Sequence, residues 1–293
     1  MFGKNKKQEI SAAGGVRKKW TAFSIVMLAV LIVYALSLFG TLFWALMTAL
    51  KSKTEYMRDP LWLPKNWLFS NFITALNELS ASGKGVPVML FNSVWLSVVP
   101  VFINLFTGAM ASYAMAHYKF PGRNLIWAIM IFMMTLPVLG TGAAVYKMLY
   151  RLNFYNSPLY VLKSITSLGG SLFLIAAFTG VSKTYAEAAF IEGAGHFRIF
   201  FTIMLPQVSG VLLALGTMSF IGHWNDYMTP IMYLPDYTPL TTGIYIYQKE
   251  NERRLNTPVL FAGSLMVLVI PVIVFALFQD KFMNISFGGG IKG

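Results

Sequence analysis

Six stretches of this sequence, residues 21–50, 86–116, 124–146, 164–182, 199–222 and 255–279, contain no Asp, Glu, Lys or Arg. A hydrocarbon layer about 30 Å thick is crossed by about 20 apolar residues in a helix, so runs of this length read as membrane spans. Inside a bilayer no water satisfies the backbone N–H and C=O groups, which restricts spanning segments to helices or closed barrels. The runs are rich in Leu, Met, Phe and Val and lack the alternation of barrel strands. The expectation is therefore an all-α membrane protein of six transmembrane helices. Composition agrees, because only 12% of the chain is charged and 56% is hydrophobic. An average soluble domain carries about 25% charged residues, so this chain lacks the polar surface of a water-soluble globule.

The net charge of +12 lies in short clusters between the apolar runs. That pattern suits loop charges near anionic lipid and sets topology; nucleic-acid binding, which needs a basic stripe, is not expected. With no cysteine, a disulfide, a thiol nucleophile and a Cys-based metal site are excluded. Lys4, Lys6, Lys7, Arg17, Lys18 and Lys19 precede the first run in the manner of a signal peptide. The run is too long for one, and no clean small-x-small cleavage site follows, so it reads as an uncleaved first helix. This dense cluster and the Lys119–Arg123 loop place both termini in the cytoplasm, although the inner and outer segments hold nearly equal Lys and Arg, twelve against eleven. The expected layout is a cytoplasmic segment 1–20, a first helix 21–50, an extracytoplasmic loop 51–85, a five-helix core 86–280 and a cytoplasmic tail 281–293.

The most informative segment is the cytoplasmic loop 182–206, between the fourth and fifth runs. Thr184 and Glu187 have capping-box spacing, which predicts a short helix through Ala188 and Ala189 to about Glu192. Gly193 and Gly195 break it. A second short helix follows, with Phe197, Phe200, Phe201 and Met204 on one face. Pro206 ends that helix and opens the fifth span. The loop is thus a helix–turn–helix whose small residues permit close approach and whose apolar stripe needs a cover, either a partner or lipid.

Glu187, Ala188, Ala189, Gly193, Ile203, Leu205 and Pro206 fill every fixed position of the pattern EAA–x3–G–x9–I–x–L–P. This loop resembles the signature of permease subunits in binding-protein-dependent ABC importers, and its EAAFIEGA stretch resembles the carbohydrate, maltose-type branch. Trp224-Asn225-Asp226-Tyr227-Met228-Thr229-Pro230 and the terminal Gly290-Ile291-Lys292-Gly293 are similar to that subfamily too, so the likeness spans roughly residues 85–293. The family often has Pro near Ser182, Asp at Glu192 and Ser at Gly195; these mild departures bear on the carbohydrate subclass more than on the class.

The resemblance implies a type I ABC importer permease in the bacterial cytoplasmic membrane. It implies a second homologous permease, two ABC ATPase subunits and an extracytoplasmic sugar-binding protein as partners. ATP and Mg would be bound by the ATPases, with no cofactor and no ATP site in this chain, which is therefore not an enzyme. The seven signature residues would dock on the ATPase, with Glu187 pairing a basic group and Gly193 allowing the turn. Alternating access would carry the sugar across. By the same likeness, the outer loop 227–254 would probe the binding protein during hand-over.

Other residues are weaker candidates. Asn92, Asn104 and Asn225 are amides in or near spans, able to line a sugar path or to bond between helices, and Trp224 and Tyr227 could stack on a sugar or belong to the interfacial belt. His117, His196 and His223 share no metal-ligand spacing. Gly140-Thr141-Gly142 lies in a predicted span with no strand before it, and Gly288–Gly293 lacks the spacing of a phosphate loop. Gly108, Ser112 and Ala116 recur every fourth residue, which suits close helix packing. Pro100, Pro137 and Pro271 fall within spans and can kink them. Rival readings are an importer permease for peptides or polyamines, an ion-coupled transporter and a membrane enzyme. The last two lack, respectively, an intramembrane carboxylate and a cluster of catalytic groups.

Overall fold

The apolar runs are helical in the computed structural model, which describes residues 21–81, 83–135, 140–166, 170–252 and 254–283. The first run is α1 (Ala22–Ala49), opened by Thr21, whose Oγ1 accepts from Ser24 N at 3.2 Å. Its 28 residues extend about 42 Å, more than a bilayer core requires. Its apolar side chains are exposed until the last turn, as a lipid-facing or partner-facing helix requires. Where α1 ends, its orphan carbonyls are satisfied by side chains. Asn71 Nδ2 donates to Ala49 O at 2.7 Å and to Lys51 O at 2.8 Å. The Lys51 ammonium, 1% exposed, donates to Asp59 O and Pro60 O, and Trp44 Nε1 also donates to Pro60 O. The segment expected as an outer loop is thus folded. It holds α2 (Lys53–Arg58) and α3 (Ser70–Glu78), the latter packed on the last helix.

The second run is α4 (Val86–His117), the axis of the molecule, which continues through Pro100 without a break. After Gly122 (φ +85°) comes α5 (Arg123–Thr135), then α6 (Gly142–Arg151), a 3₁₀ segment (Pro158–Thr166) and α7 (Ser171–Gly180). Helix α7 lies along α4 at the small-residue face, where Ser112 Oγ donates to Ser171 O at 3.3 Å and a Cβ on Gly108 would meet Leu174 Cδ1 at 3.7 Å. Next come α8 (Lys183–Ile191) and α9 (His196–Ile199), the latter continuing through a π-helical turn (Phe200–Met204) into α10 (Leu205–Gln207). Helix α11 (Ser209–Asn225) packs between α4 and α14 (Thr257–Met283), with α12 (Met228–Tyr233) and α13 (Leu240–Glu250) between α11 and α14. The outer segment 227–254 is therefore helical rather than a loop. It is clasped to the segment before Pro158 by Asn156 (φ +48°), whose N–H donates to Tyr233 O and whose Oδ1 accepts from Asp236 N.

Three of the six expected spans depart from a single long helix. Among the described residues, three helices (α1, α4 and α14) are long and apolar enough to cross a membrane, and a fourth if the bent pair His196–Gln207 and Ser209–Asn225 counts as one span. The fifth run does not enter at residue 199. Pro206 offers no N–H to the preceding turn, the chain breaks at Val208, and the two pieces meet at 76°. Where the third and fourth spans were expected stand α5 and α7, of 13 and 10 residues. Gly140 (φ +70°) puts Gly140-Thr141-Gly142 at the turn into α6 rather than within a span. Gly170 (φ +80°) sets the start of α7, where a Cβ would lie 3.0 Å from Leu215 Cδ1. The basic N-terminal cluster, Pro137, Gly169 and the Gly288–Gly293 tail lie outside the described residues.

Candidate functional site

At the end of the bundle expected to face the cytoplasm, Ser182 and not Thr184 caps α8. Ser182 is extended (φ −61°, ψ 132°) and its Oγ accepts from Thr184 N at 3.3 Å. Thr184 already lies inside the first turn, so the expected box with Glu187 does not form; its hydroxyl bonds Ser182 Oγ instead, at 3.1 Å. The other end of α8 closes as the glycine predicted. Gly193 adopts φ +82°, Gly193 N donates to Phe190 O at 3.0 Å and Ala194 N to Ala189 O at 2.9 Å. This pair of bonds is a Schellman motif, which requires a left-handed residue at that position. The α8–α9 hairpin is thus set by local backbone chemistry.

The two alanines of the signature divide between faces. Ala189, with Ala186, is buried against Tyr113, Phe178 and Phe200, whereas Ala188, Glu187, Tyr185 and Ile191 are exposed. The second arm buries Ile199, Phe200 and Met204 and leaves Phe197 and Phe201 exposed, so the single face expected for Phe197, Phe200, Phe201 and Met204 is split. Ile203 and Leu205 are half-buried against the same cluster, and Pro206 is exposed. Tyr113, near the C-terminal end of α4, is the hub. Its ring lies 5.5 Å from Phe178, 5.2 Å from Phe200 and 5.6 Å from Tyr118. Tyr118 Oη and His196 Nδ1 share a hydrogen bond of 2.6 Å, and His196 stands edge-on to Phe190 at 4.7 Å. His117 Nε2 lies 2.9 Å from Phe178 O, so two of the three histidines tie this hairpin and α7 to α4.

The five pathway candidates are spread along α4, α11 and the turn after it, and of the five only Trp224 lines the cavity described below. Asn92 is buried, donating to Thr238 O at 3.1 Å and accepting from Trp95 Nε1 at 3.2 Å. Next to it, Ser93 Oγ accepts from Leu240 N at 2.8 Å. Asn104 Nδ2 lies 3.4 Å from Ser164 O. Trp224 is 2% exposed, its Nε1 donating to Val267 O at 3.1 Å and its ring stacked on Phe220 at 5.7 Å. Asn225 Nδ2 bonds back to Ile221 O at 2.9 Å, and Tyr227 stacks on Tyr245 at 4.8 Å.

What the structure does bring together is a set the spacing did not group. A cavity of about 90 Å³ under the α11–α12 turn is lined by Ser97, Lys163, His223 and Asp226, among others. Burial lowers the Lys163 ammonium pKa and the nearby Asp226 charge opposes that shift. Two signals in the sequence pointed here: His223 and Asp226 are three apart on one helical face, and Lys163 abuts a charge-free run.

The family described as binding-protein-dependent transport system inner membrane component matches residues 104–282. A diacetylchitobiose uptake system permease protein of Streptomyces coelicolor is 29% identical over 264 residues, covering 88% of this chain and 86% of that one. An arabinooligosaccharides transport system permease protein of Halalkalibacterium halodurans is 29% identical over 253 residues, covering 85% and 89%. Among solved structures, a bacterial ABC transporter involved in the import of the acidic polysaccharide alginate aligns with a TM-score of 0.77 at 19% identity, over 89% of this chain and 96% of that one. At that identity the likeness establishes the fold.

Proposed function

This chain belongs to the family of binding-protein-dependent transport system inner membrane components, and we propose that it is the permease subunit of an ATP-driven importer for a sugar or oligosaccharide. The saccharide class is supported by relatives named for diacetylchitobiose, arabinooligosaccharides and melibiose, raffinose and stachyose. The partners are a second homologous permease, two ATPase subunits that bind ATP and Mg, and an extracytoplasmic sugar-binding protein. Both termini and the segment 182–206 face the cytoplasm, and α5 and α7 complete six crossings.

The observation that carries this reading is the α8–α9 hairpin. It is fixed by its own cap and Schellman turn, yet it exposes Tyr185, Ile191 and Phe197 at 56, 88 and 70%. A helix pair that is rigid and apolar on its free side is suited to seat in a cleft of another subunit. Ala188 permits close approach there, and Glu187 offers one carboxylate to a basic partner. Closure of the ATPase pair then moves the hairpin, and the inner end of α4 moves with it through Tyr113 and Tyr118. This mechanical coupling drives alternating access without covalent chemistry in this chain.

The test is co-purification of the ATPase with Glu187→Lys, followed by ATP hydrolysis with and without binding protein. The charge reversal is expected to abolish ATPase retention and transport while membrane insertion stays normal. Full retention with normal stimulated hydrolysis would exclude Glu187 from docking. Single cysteines in this Cys-free chain test orientation: impermeant thiol labelling of 182–206 from outside whole cells would sink the topology.

A further inference from the structure

We propose that the cavity under the α11–α12 turn is a subsite of this subunit for the hydroxyl-bearing edge of a neutral sugar, an inference that rests on the importer reading above. Three segments far apart in sequence build it: the outer half of α4, the 3₁₀ segment, and the end of α11 with α12. Each supplies a polar group. Lys163 Nζ donates to Tyr160 Oη at 2.8 Å and lies over the Tyr160 and Tyr233 rings, 5.0 and 5.8 Å from their centroids. Asp226 Oδ1 accepts from Thr229 N at 3.0 Å, and His223 in the last turn of α11 lines the same cavity. From α4 comes Ser97, 1% exposed, whose Oγ has no hydrogen-bond partner.

The Ser97 hydroxyl is the telling group. Buried polar atoms are nearly always paired, and one left unpaired beside a cavity calls for an occupant that bonds it. Pro100, which also lines the cavity, has no N–H to donate to the Leu96 carbonyl. A sugar hydroxyl both donates and accepts, so adjacent hydroxyls can serve Ser97, the Leu96 carbonyl and Asp226 together, while Leu96 and Leu234 meet the C–H face. The volume of about 90 Å³ is several times the roughly 10–15 Å³ of such space that one water needs, so the cavity has room for a group larger than a single water. Charge decides the class: the Lys163 ammonium and the Asp226 carboxylate offset each other within the same walls, which favours a neutral sugar over a uronate.

The experiment uses the assembled importer in proteoliposomes with its binding protein. The probes are diacetylchitobiose, arabinotriose and raffinose as neutral sugars and an alginate trisaccharide as the acidic one. In the S97C variant, the imported neutral sugar is expected to slow modification by a methanethiosulfonate reagent at least fivefold. Ser97→Val is expected to lower uptake about tenfold, with ATP hydrolysis stimulated by the binding protein unchanged within twofold. A merely structural serine would move both readouts or neither. The inference is overturned by wild-type uptake in S97V, by a thiol that no probe protects, by one that stays unmodified throughout the transport cycle, or by protection from the uronate alone. If S97V does not assemble, the thiol result decides. Failure of the wild-type complex to import any probe would instead overturn the importer reading and this subsite with it.

Discussion

At its C-terminal end, the inner one in the proposed topology, α4 meets the α8–α9 hairpin mainly through rings, with Tyr113 against Phe178 and Phe200 and alanine methyls filling the spaces. At its outer end the same helix meets the α12–α13 turn through hydrogen bonds, Asn92 to Thr238 O and Ser93 Oγ from Leu240 N. Apolar contact is non-directional and tolerates sliding or rocking. Buried hydrogen bonds have fixed lengths and angles and cost free energy when stretched. The two ends are therefore suited to different tasks, the inner one to taking up a push and the outer one to holding register around a polar cavity. Three substitutions test that contrast.

The largest effect is expected from Gly193→Asp. The glycine sits at φ +82°, where a Cβ would meet nothing within 4 Å in this chain. Within the subunit the substitution therefore costs only backbone strain, about 1–2 kcal/mol, which leaves insertion and span packing intact. Loss of ATPase co-purification and of transport is expected, because the added carboxylate stands on the exposed side of the hairpin. Gly193→Asn, which tolerates the left-handed region better, should retain part of both. If Asp and Asn behave alike and both keep full coupling, the turn does not belong to a docking surface.

The inner region was largely legible in the sequence and the outer one was not, for a physical reason. A Schellman turn and an exposed helix pair are coded by residues within a few positions of one another, so Gly193 could be placed by spacing alone, whereas the helix end expected at Pro206 falls at Val208. What spacing missed there was small in scale: Ser182 rather than Thr184 as the cap, and Ala189 on the buried face of α8 with Ala186 rather than on the exposed one with Ala188. The cavity draws on Ser97, Lys163 and Asp226, which only helix packing brings together. Asn92 and Trp224 looked like pathway groups because polar and aromatic residues in spans suggest ligands. Asn92 is held in a clamp, whereas Trp224 donates to Val267 O and is also among the residues that line the cavity. The turns at Gly140 and Gly170 were equally hidden, since a charge-free run gives an upper bound on helix length and says nothing of a break within it.

An intermediate effect is expected from Asn92→Leu. The side chain is nearly isosteric, but it strands the Thr238 carbonyl and the Trp95 N–H in a buried position. Removing one partner of a buried hydrogen bond costs about 1–3 kcal/mol. Thermal unfolding of the solubilised complex should drop accordingly, with ATPase retention unchanged because the hairpin lies at the other end of α4. Unaltered unfolding would mean that the outer end is not held by directional bonds, and the contrast between the ends would fail.

The smallest effect is expected from Tyr118→Phe, and it bears most directly on how the inner end works. The substitution removes the 2.6 Å hydrogen bond to His196 and keeps the ring that stands edge-on to Tyr113 at 5.6 Å. This bond joins exposed groups at the hairpin's rim, so its net worth is about 0.5–1.5 kcal/mol. If the rings carry the motion from hairpin to α4, transport and stimulated ATP hydrolysis should both stay within about fivefold of the parent, since 1 kcal/mol is close to that factor in an equilibrium. His196→Ala, which also removes the edge contact to Phe190, should cost somewhat more. A loss of transport in Tyr118→Phe with ATPase retention intact would show that a single directional bond, and not the aromatic cluster, links the hairpin to the helix. The inner end would then work by the same kind of contact as the outer one.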